Sequence, residues 1–289
     1  MMRLAYLGIA LLIGGAIIVA ACSPLKTFDA LVPKDSESGE VARNIPYAAG
    51  PRHMLDIYAP RGTRAGANLP VIVFIYGGSW ASGTREGYGF AGRALAAAGF
   101  VVVVPDYRLV PEIYFPGFLQ DCAAAVHWAR GNAGRYGGDA DRIVLVGHSA
   151  GAYNAAMLAL DPQWLGKDRT AIKGMAGMAG PYDFLPFDGK ITTRTFGQWP
   201  RPDETQPIHY ADASAPPTLF LHGSEDDTVY PRNSVHLQKK LADAGAKSEL
   251  KIYPGIGHVG IVTALARPFR ERAPVLVDVI GFARKVTVR

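Results

Sequence analysis

The sequence predicts an α/β fold in which a mostly parallel sheet is covered by helices on both faces. Residues 71–75 form an uninterrupted apolar run rich in β-branched side chains, as expected of a central strand buried on both faces. Similar runs at 100–104 and 143–146, and a further predicted strand at 172–178, alternate with Ala- and Leu-rich segments, which is the pattern of parallel strands joined by helices. The run at 143–146 leads directly into a G-x-S-x-G motif at residues 147–151.

The remaining segments extend this alternation over most of the chain. The eight predicted strands lie at 45–47, 54–58, 71–75, 100–104, 143–146, 172–178, 218–221 and 250–253. The predicted helices lie at 88–98, 118–136, 152–160, 234–244 and 275–285. With 289 residues and 49% hydrophobic content, the chain is long enough for one large domain, which we assign to residues 45–289.

Charge and cysteine content exclude some classes of function. The formal net charge of +5 comes from scattered residues, which indicates a solvated basic surface and no nucleic-acid partner. The two cysteines, Cys22 and Cys122, have no spacing that resembles a zinc site. We expect Cys122 to be a buried free thiol on a helix, and we expect neither a metal ion nor a disulfide.

The N-terminal segment resembles a bacterial lipoprotein signal. Arg3 precedes the 18 uncharged residues 4–21, and the small residues before Cys22 resemble the lipobox at which such signals are cut and the cysteine is lipidated. A surviving membrane span is the first alternative, since 18 apolar residues just reach the necessary length, and an ordinary secretory signal is the second. We expect a signal peptide at 1–21, a polar tether at 22–44, and lipid anchoring at the outer side of a bacterial membrane, in the cell envelope.

The motif at 147–151 places Ser149 where a strand turns sharply into a helix. A serine on such a strained turn exposes its hydroxyl in a cleft, and the flanking Gly147 and Gly151 let the strand and the helix pass closely. A simple Gly/Ser turn is the alternative. A serine nucleophile also needs a histidine base and a carboxylate, which follow it along the chain in this arrangement.

Two later loops supply candidates for the base and the acid. His258 follows the last predicted strand in a Gly-rich loop. Asp226 lies in an acidic cluster after strand 218–221, at the carboxyl end of a parallel strand, where ligand-facing side chains collect; Asp227 is the alternative. Serine, acid and histidine in this order are expected of an α/β-hydrolase. We predict Ser149 as the nucleophile, His258 as base and then acid, and Asp226 as the group that orients the imidazole.

The other histidines carry no catalytic signal. His148 precedes the predicted nucleophile and is expected to be structural, and His222 is expected to brace the turn before Gly223.

A glycine pair after strand 71–75 is the candidate oxyanion hole. The backbone N–H groups of Gly78 and Ser79 on this loop, together with that of Ala150, are predicted to face the oxyanion. Gly77 takes part instead if the register differs by one residue, and an ordinary turn is the alternative.

These residues together resemble the α/β-hydrolase esterases of the hormone-sensitive-lipase and feruloyl-esterase-like groups. The likeness extends from about Pro46 to the C-terminus and includes P-D-Y-R-L-V-P-E at 105–112, close to the D-Y-R-L-x-P-E of that family. It implies an α/β-hydrolase fold and a carboxylic ester hydrolase that forms an acyl-enzyme and uses no cofactor. Tyr76 and Ser79 stand where the family usually has a histidine and a third glycine, so the bracing of the oxyanion loop must differ.

The segment 180–217 is predicted to form a short cap over the site. It is rich in bulky aromatic side chains, at Tyr182, Phe184, Phe187, Phe196, Trp199 and Tyr210. Trp80 and Tyr153 are further candidates for lining the pocket, although for any one of these rings packing of the cap onto the sheet is the preferred interpretation. We expect hydrolysis of a small-molecule short-chain or aryl ester. An amidase, formamidase or peptidase with the same residues and a non-catalytic binding protein are the alternatives, and the oligomeric state is left open.

Overall fold

A computed structural model describes residues 24–288 and shows an eight-stranded sheet with the predicted α/β architecture. The strands are β1 (Ser38–Pro46), β2 (Met54–Pro60), β3 (Leu69–Ile75), β4 (Val101–Pro105), β5 (Gly138–His148), β6 (Ile172–Met178), β7 (Thr218–Gly223) and β8 (Ser248–Tyr253). Their order across the sheet is β1-β2-β4-β3-β5-β6-β7-β8. Strand β2 is antiparallel to both of its neighbours, and all the other pairs are parallel.

Eight α-helices accompany the sheet within residues 24–288. They are α1 (Pro24–Leu31), α2 (Gly89–Ala97), α3 (Gly117–Asn132), α4 (Ala150–Leu160), α5 (Lys190–Phe196), α6 (Arg232–Asp243), α7 (His258–Thr263) and α8 (Val275–Val286). The five predicted helices are present, with ends that shift by a few residues. Helices α1, α5 and α7 were not predicted, because none exceeds eight residues and none shows enough apolar repeats to give a clear helical period.

The central strands are buried because their side chains are apolar on both faces. Residues 71–75 of β3 are all fully buried, as expected for a strand covered on both sides. In the parallel pairing of β3 with β5, Ile75 lies opposite Gly147. This register brings the loop after β3 beside the G-x-S-x-G turn, so the two chain segments predicted to form the site begin as neighbours.

The domain begins earlier than the sequence predicts. The segment assigned to a tether contains α1 and most of β1, which pairs with β2 from Ser38 onward. The rings of Phe28 and Phe90 meet edge to face at 5.1 Å, and Phe28 stacks on Phe269 at 5.8 Å. Arg270 also holds Asp35 through two hydrogen bonds of 2.9 and 2.7 Å. The prediction was wrong for residues 24–44, because isolated apolar side chains that pack against distant partners leave no periodic signal.

The predicted signal peptide and the lipidation site at Cys22 lie outside the described residues. Among residues 24–288, the helices are too short or too polar for any to cross a bilayer. Over the same range, no three His, Cys, Asp or Glu side chains form a group that could hold a metal ion. Cys122 is buried on α3, where its sulfur lies 3.5 Å from the side-chain nitrogen of Asn154.

The packing of α1 can be tested by truncating its aromatic side chain. Phe28→Ala should lower the free energy of unfolding by about 2 kcal/mol, because it removes two ring contacts and part of a buried surface. Leu31→Ala on the same helix is the matched control, since Leu31 is 79% exposed and its loss should change stability by less than about 0.5 kcal/mol. Urea unfolding followed by circular dichroism measures both. Equal stabilities for the Phe28 variant and the parent chain would show that α1 does not belong to the folded domain.

Candidate active site

Ser149 occupies a strained turn between β5 and α4. Its φ and ψ of 54° and −123° lie in a region that non-glycine residues rarely adopt. A Cβ at Gly151 would lie 2.0 Å from the carbonyl oxygen of Ile75, and one at Gly147 would lie 2.3 Å from that of Gly151. Only glycine fits at these two positions, and the tight turn that results lets Ser149 line a cavity.

The structure brings the three predicted catalytic side chains together. The Oγ of Ser149 lies 2.9 Å from Nε2 of His258, and Nδ1 of His258 lies 2.8 Å from Oδ2 of Asp226. Because a carboxylate can only accept, Nδ1 carries the proton, and Nε2 is then free to accept the hydrogen of the Ser149 hydroxyl. Asp227, the alternative acid, is exposed, and among the described residues its one side-chain hydrogen bond comes from its neighbour Thr228.

Asp226 is buried and surrounded by hydrogen-bond donors. Its Oδ1 accepts from the backbone N–H groups of Val229 at 2.8 Å and Thr228 at 3.0 Å. Its Oδ2 faces both His258 and Nε2 of His222, the latter at 3.2 Å. Burial by itself would raise the pKa of Asp226, but the hydrogen bonds from His222, His258 and Val229 outweigh it and hold that pKa well below its usual range. The carboxylate therefore stays charged beside the imidazole.

His222 braces the acid loop, as expected, and also reaches the acid itself. Its Nε2 lies 2.7 Å from the carbonyl oxygen of Val229, which fixes the proton on that nitrogen, while its Nδ1 lies 2.8 Å from the hydroxyl of Ser234. The same N–H therefore points at both the Val229 carbonyl and Asp226. The four-residue spacing from His222 to Asp226 was visible in the sequence, but their contact depends on the fold of the loop after β7.

His148 contacts the backbone of His258 and lies outside the hydrogen-bonded set of Ser149, His258 and Asp226. Its Nε2 lies 3.0 Å from the carbonyl oxygen of His258, to which it donates. Burial, together with the nearby His258, lowers the pKa of His148 to about 3. A neutral ring that holds the His258 backbone agrees with the structural role expected for this residue.

The loop predicted to form the oxyanion hole, after β3, lies against the turn that carries Ser149. Ser79 and Ala150 line the same cavity as Ser149, whereas Gly78 is not among the described residues that form its wall. A Cβ at Gly77 would lie 2.9 Å from that of Ser149, which shows how closely the loop approaches the nucleophile. Gly78 and Ser79 both have positive φ, 136° and 53°, so the loop turns sharply here. The assignment of Gly78, Ser79 and Ala150 as oxyanion donors stays a prediction.

Tyr76 braces this loop from below in place of the usual histidine. Its hydroxyl donates to Oδ1 of Asp106 at 2.8 Å and accepts from the guanidinium of Arg52 at 2.7 Å. The same guanidinium group donates to the carbonyl oxygen of Gly83 at 2.9 Å, and Tyr107 donates to that of Tyr76 at 2.9 Å. Asp106 and Tyr107 of the D-Y-R motif are thus part of the support of this loop, a role that the sequence did not reveal, whereas Arg108 of the motif pairs with Asp121.

The predicted cap closes over a cavity of about 380 Å³. Trp80 and Phe184 line this cavity, as do Ile191 and Val229. Tyr153 is fully buried and donates to the carbonyl oxygen of Thr205 at 2.7 Å, so it packs the cap and does not face the ligand space. The ring of Phe196 is also buried and meets that of Trp80 edge to face at 4.9 Å.

Comparison with known proteins identifies the family. Residues 55–241 match the model of the BD-FAE family. The chain belongs to the BD-FAE family. The matched region contains Ser149 and Asp226 but ends before His258. The assignment of His258 as the base of this BD-FAE protein therefore rests on the geometry of the site.

Two curated relatives are similar over most of the chain. Esterase LipC of Mycobacterium tuberculosis is 31% identical over 241 residues, which cover 75% of this chain and 59% of LipC. A probable isoprenylcysteine alpha-carbonyl methylesterase of Oryza sativa subsp. japonica is 29% identical over 266 residues, covering 83% of this chain and 63% of the relative. The BD-FAE protein thus spans about three fifths of the length of these relatives.

Solved structures confirm the α/β-hydrolase fold. A truncated carbohydrate esterase from gut microbiota superposes with a TM-score of 0.76 and 23% identity, covering 89% of this chain and all of that chain. Inhibited esterase B from Lactobacillus rhamnosis gives a TM-score of 0.79 with 21% identity and covers 96% of both chains. The predicted fold class is therefore confirmed.

The environment of Asp226 predicts a pH-dependent contribution to stability. A carboxyl whose pKa is lowered by folding stabilises the native state fully above its unfolded pKa of about 3.9, and this contribution declines as the pH falls from that value toward the lower folded pKa. Asp226→Asn should cost about 2 kcal/mol at pH 6, and the cost should shrink at pH 3.5. Urea unfolding at a series of pH values measures this, with the exposed Asp227→Asn as control. A cost that is the same at both pH values would contradict the assignment.

Proposed function

We propose that this protein is a serine carboxylic ester hydrolase that acts through an acyl-enzyme on short-chain or aryl esters. The unbroken set of hydrogen bonds from Ser149 through His258 to Asp226 carries the proposal. It is the arrangement by which an imidazole activates a hydroxyl that is otherwise a weak nucleophile at neutral pH. The names of the relatives, an esterase and a probable methylesterase, support the same class of reaction.

The reaction begins with transfer of the Ser149 proton to Nε2 of His258 as Oγ attacks the ester carbonyl carbon. Asp226 stabilises the resulting imidazolium and keeps Nδ1 pointing toward itself. The tetrahedral intermediate then collapses, the bond to the alcohol oxygen breaks, and His258 returns the proton to that oxygen. Water repeats the sequence on the acyl-enzyme, which releases the acid and restores Ser149.

The negative charge on the intermediate needs donors that are already in place. The N–H of Ala150 at the start of α4 and the N–H groups of the loop after β3 are the candidates. Removal of one such donor typically lowers kcat by about 10²- to 10³-fold. The Tyr76–Asp106–Arg52 network would hold these donors in position.

The size and the apolar lining of the cavity favour an ester with a small acyl or aryl group. A volume of about 380 Å³ lies at the low end for small-molecule sites. Its apolar wall includes Trp80, Phe184 and Ile191, against which an alkyl chain of a few carbons or one aromatic ring can pack.

The activity can be tested with 4-nitrophenyl acetate and the full chain in a neutral detergent. Ser149→Ala and His258→Asn should each lower kcat by about 10⁶-fold, because both remove a participant in proton transfer. His209→Asn is the matched control, since His209 is exposed on a 3-10 helix and does not line the cavity, so its replacement should leave the rate unchanged. A fluorophosphonate probe should label the parent chain at Ser149. Equal hydrolysis by the parent and the Ser149 variant would refute the proposal.

We also propose that Cys22 is lipidated and that the protein is anchored to a bacterial membrane facing away from the cytoplasm. The support comes from the sequence alone, in the uncharged run 4–21 and the small residues before Cys22. The ester substrate would then be met at the cell envelope.

Metabolic labelling tests this proposal directly. In a bacterial host supplied with an alkyne fatty acid, the parent chain should acquire the label and partition into detergent, whereas Cys22→Ala should do neither. Cys122→Ala is the matched control, and it should be labelled like the parent. Labelling that persists in the Cys22 variant would overturn the proposed site.

A further inference from the structure

The cavity that contains Ser149 is unevenly charged. Its described wall includes two cationic side chains, Arg232 and Lys190, and one carboxylate, Asp188. Arg232 lies at the start of α6, just after the acid loop, whereas Lys190 lies at the start of α5 in the cap. Two separate segments of the chain therefore each contribute an exposed cationic residue to the wall of the same cavity.

Arg232 is positioned without being neutralised. Its guanidinium lies over the ring of Tyr230, 5.0 Å from the ring centre. Because a cation is attracted to the face of an aromatic ring, this contact holds the Arg232 side chain in place. Within residues 24–288, no carboxylate forms an ion pair with it. A stacked guanidinium keeps the N–H groups at its edge available, and these match the two oxygens of a carboxylate.

Lys190 is also unpaired in the described part of the chain. Asp188 lies two residues before it and lines the same cavity, but the two side chains do not form an ion pair. Arg232, Lys190 and Asp188 together give this part of the cavity wall one net positive charge, and the rest of the wall is largely apolar. A negatively charged group on the substrate would be attracted to this region, and a positively charged one repelled.

We propose that the natural substrate is an ester that carries a carboxylate on the part away from the scissile bond, as in the half-ester of a dicarboxylic acid. The inference rests on the proposed esterase function and specifies its substrate class. Arg232 binds the carboxylate, Lys190 adds to the attraction, and the apolar wall holds the carbon chain between that carboxylate and the carbonyl near Ser149.

The experiment compares two 4-nitrophenyl esters that differ only in charge. One is the mono-4-nitrophenyl ester of glutaric acid, and the other has a primary amide in place of its free carboxylate. The full chain in a neutral detergent should hydrolyse the anionic ester with a kcat/KM several-fold higher than the neutral one. The ratio should fall toward one as sodium chloride is raised, because salt screens exposed charges.

Charge-removing variants assign the preference to particular residues. Arg232→Gln and Lys190→Gln should each lower the ratio by about two- to fivefold, as expected for partly exposed ion pairs. Asp188→Asn should raise the ratio, because it removes the opposing charge. Lys240→Gln on α6 and Arg194→Gln on α5 are matched controls, since both side chains are exposed on the same helices but lie off the described cavity wall.

The outcomes separate this inference from the proposed function. A ratio near one, or a ratio that neither Arg232→Gln nor Lys190→Gln changes, would overturn the substrate class and leave the esterase function standing. Hydrolysis of neither ester by a correctly folded chain would overturn both. A ratio above one that falls in the Arg232→Gln and Lys190→Gln variants, and that the Lys240→Gln and Arg194→Gln controls retain, would support the proposal.

Discussion

A carboxylate that is buried beside an imidazole persists as an anion only when donors surround it, and the candidate site depends on this condition at Asp226. Two backbone N–H groups occupy one of its oxygens, and His222 and His258 share the other. These hydrogen bonds overcome the cost of burial. The charge so maintained fixes which nitrogen of His258 carries a proton, and this in turn leaves the other nitrogen open to Ser149.

The parallel sheet brings these groups together from distant parts of the chain. Ser149 follows β5, Asp226 follows β7, and His258 follows β8, so all three come from the carboxyl ends of strands. The pairing of Ile75 with Gly147 adds the oxyanion loop after β3 to the same edge. A one-residue shift in that pairing would separate the loop from the nucleophile. The geometry of the site therefore depends on the register of the buried strands.

Much of this arrangement could be predicted because the signals are local. The strand at 71–75 and the glycines flanking Ser149 impose their conformation through nearest neighbours, and the order of Ser149, Asp226 and His258 follows from the fold. What could not be predicted depends on contacts between distant residues. The Tyr76–Asp106–Arg52 network and the docking of Phe28 leave no periodic pattern, and the direction of Tyr153 is decided by its hydrogen bond to the cap.

Under the proposed lipidation of Cys22, the docking of α1 would limit how far the folded domain stands from a bilayer. The helix begins at Pro24 and lies against the domain, which leaves only Ser23 between it and Cys22. Such a link spans no more than about 7 Å. A chain lipidated at Cys22 would therefore sit almost flush with the lipid headgroups, and its reach would extend only to esters that come within a molecular diameter of the membrane surface.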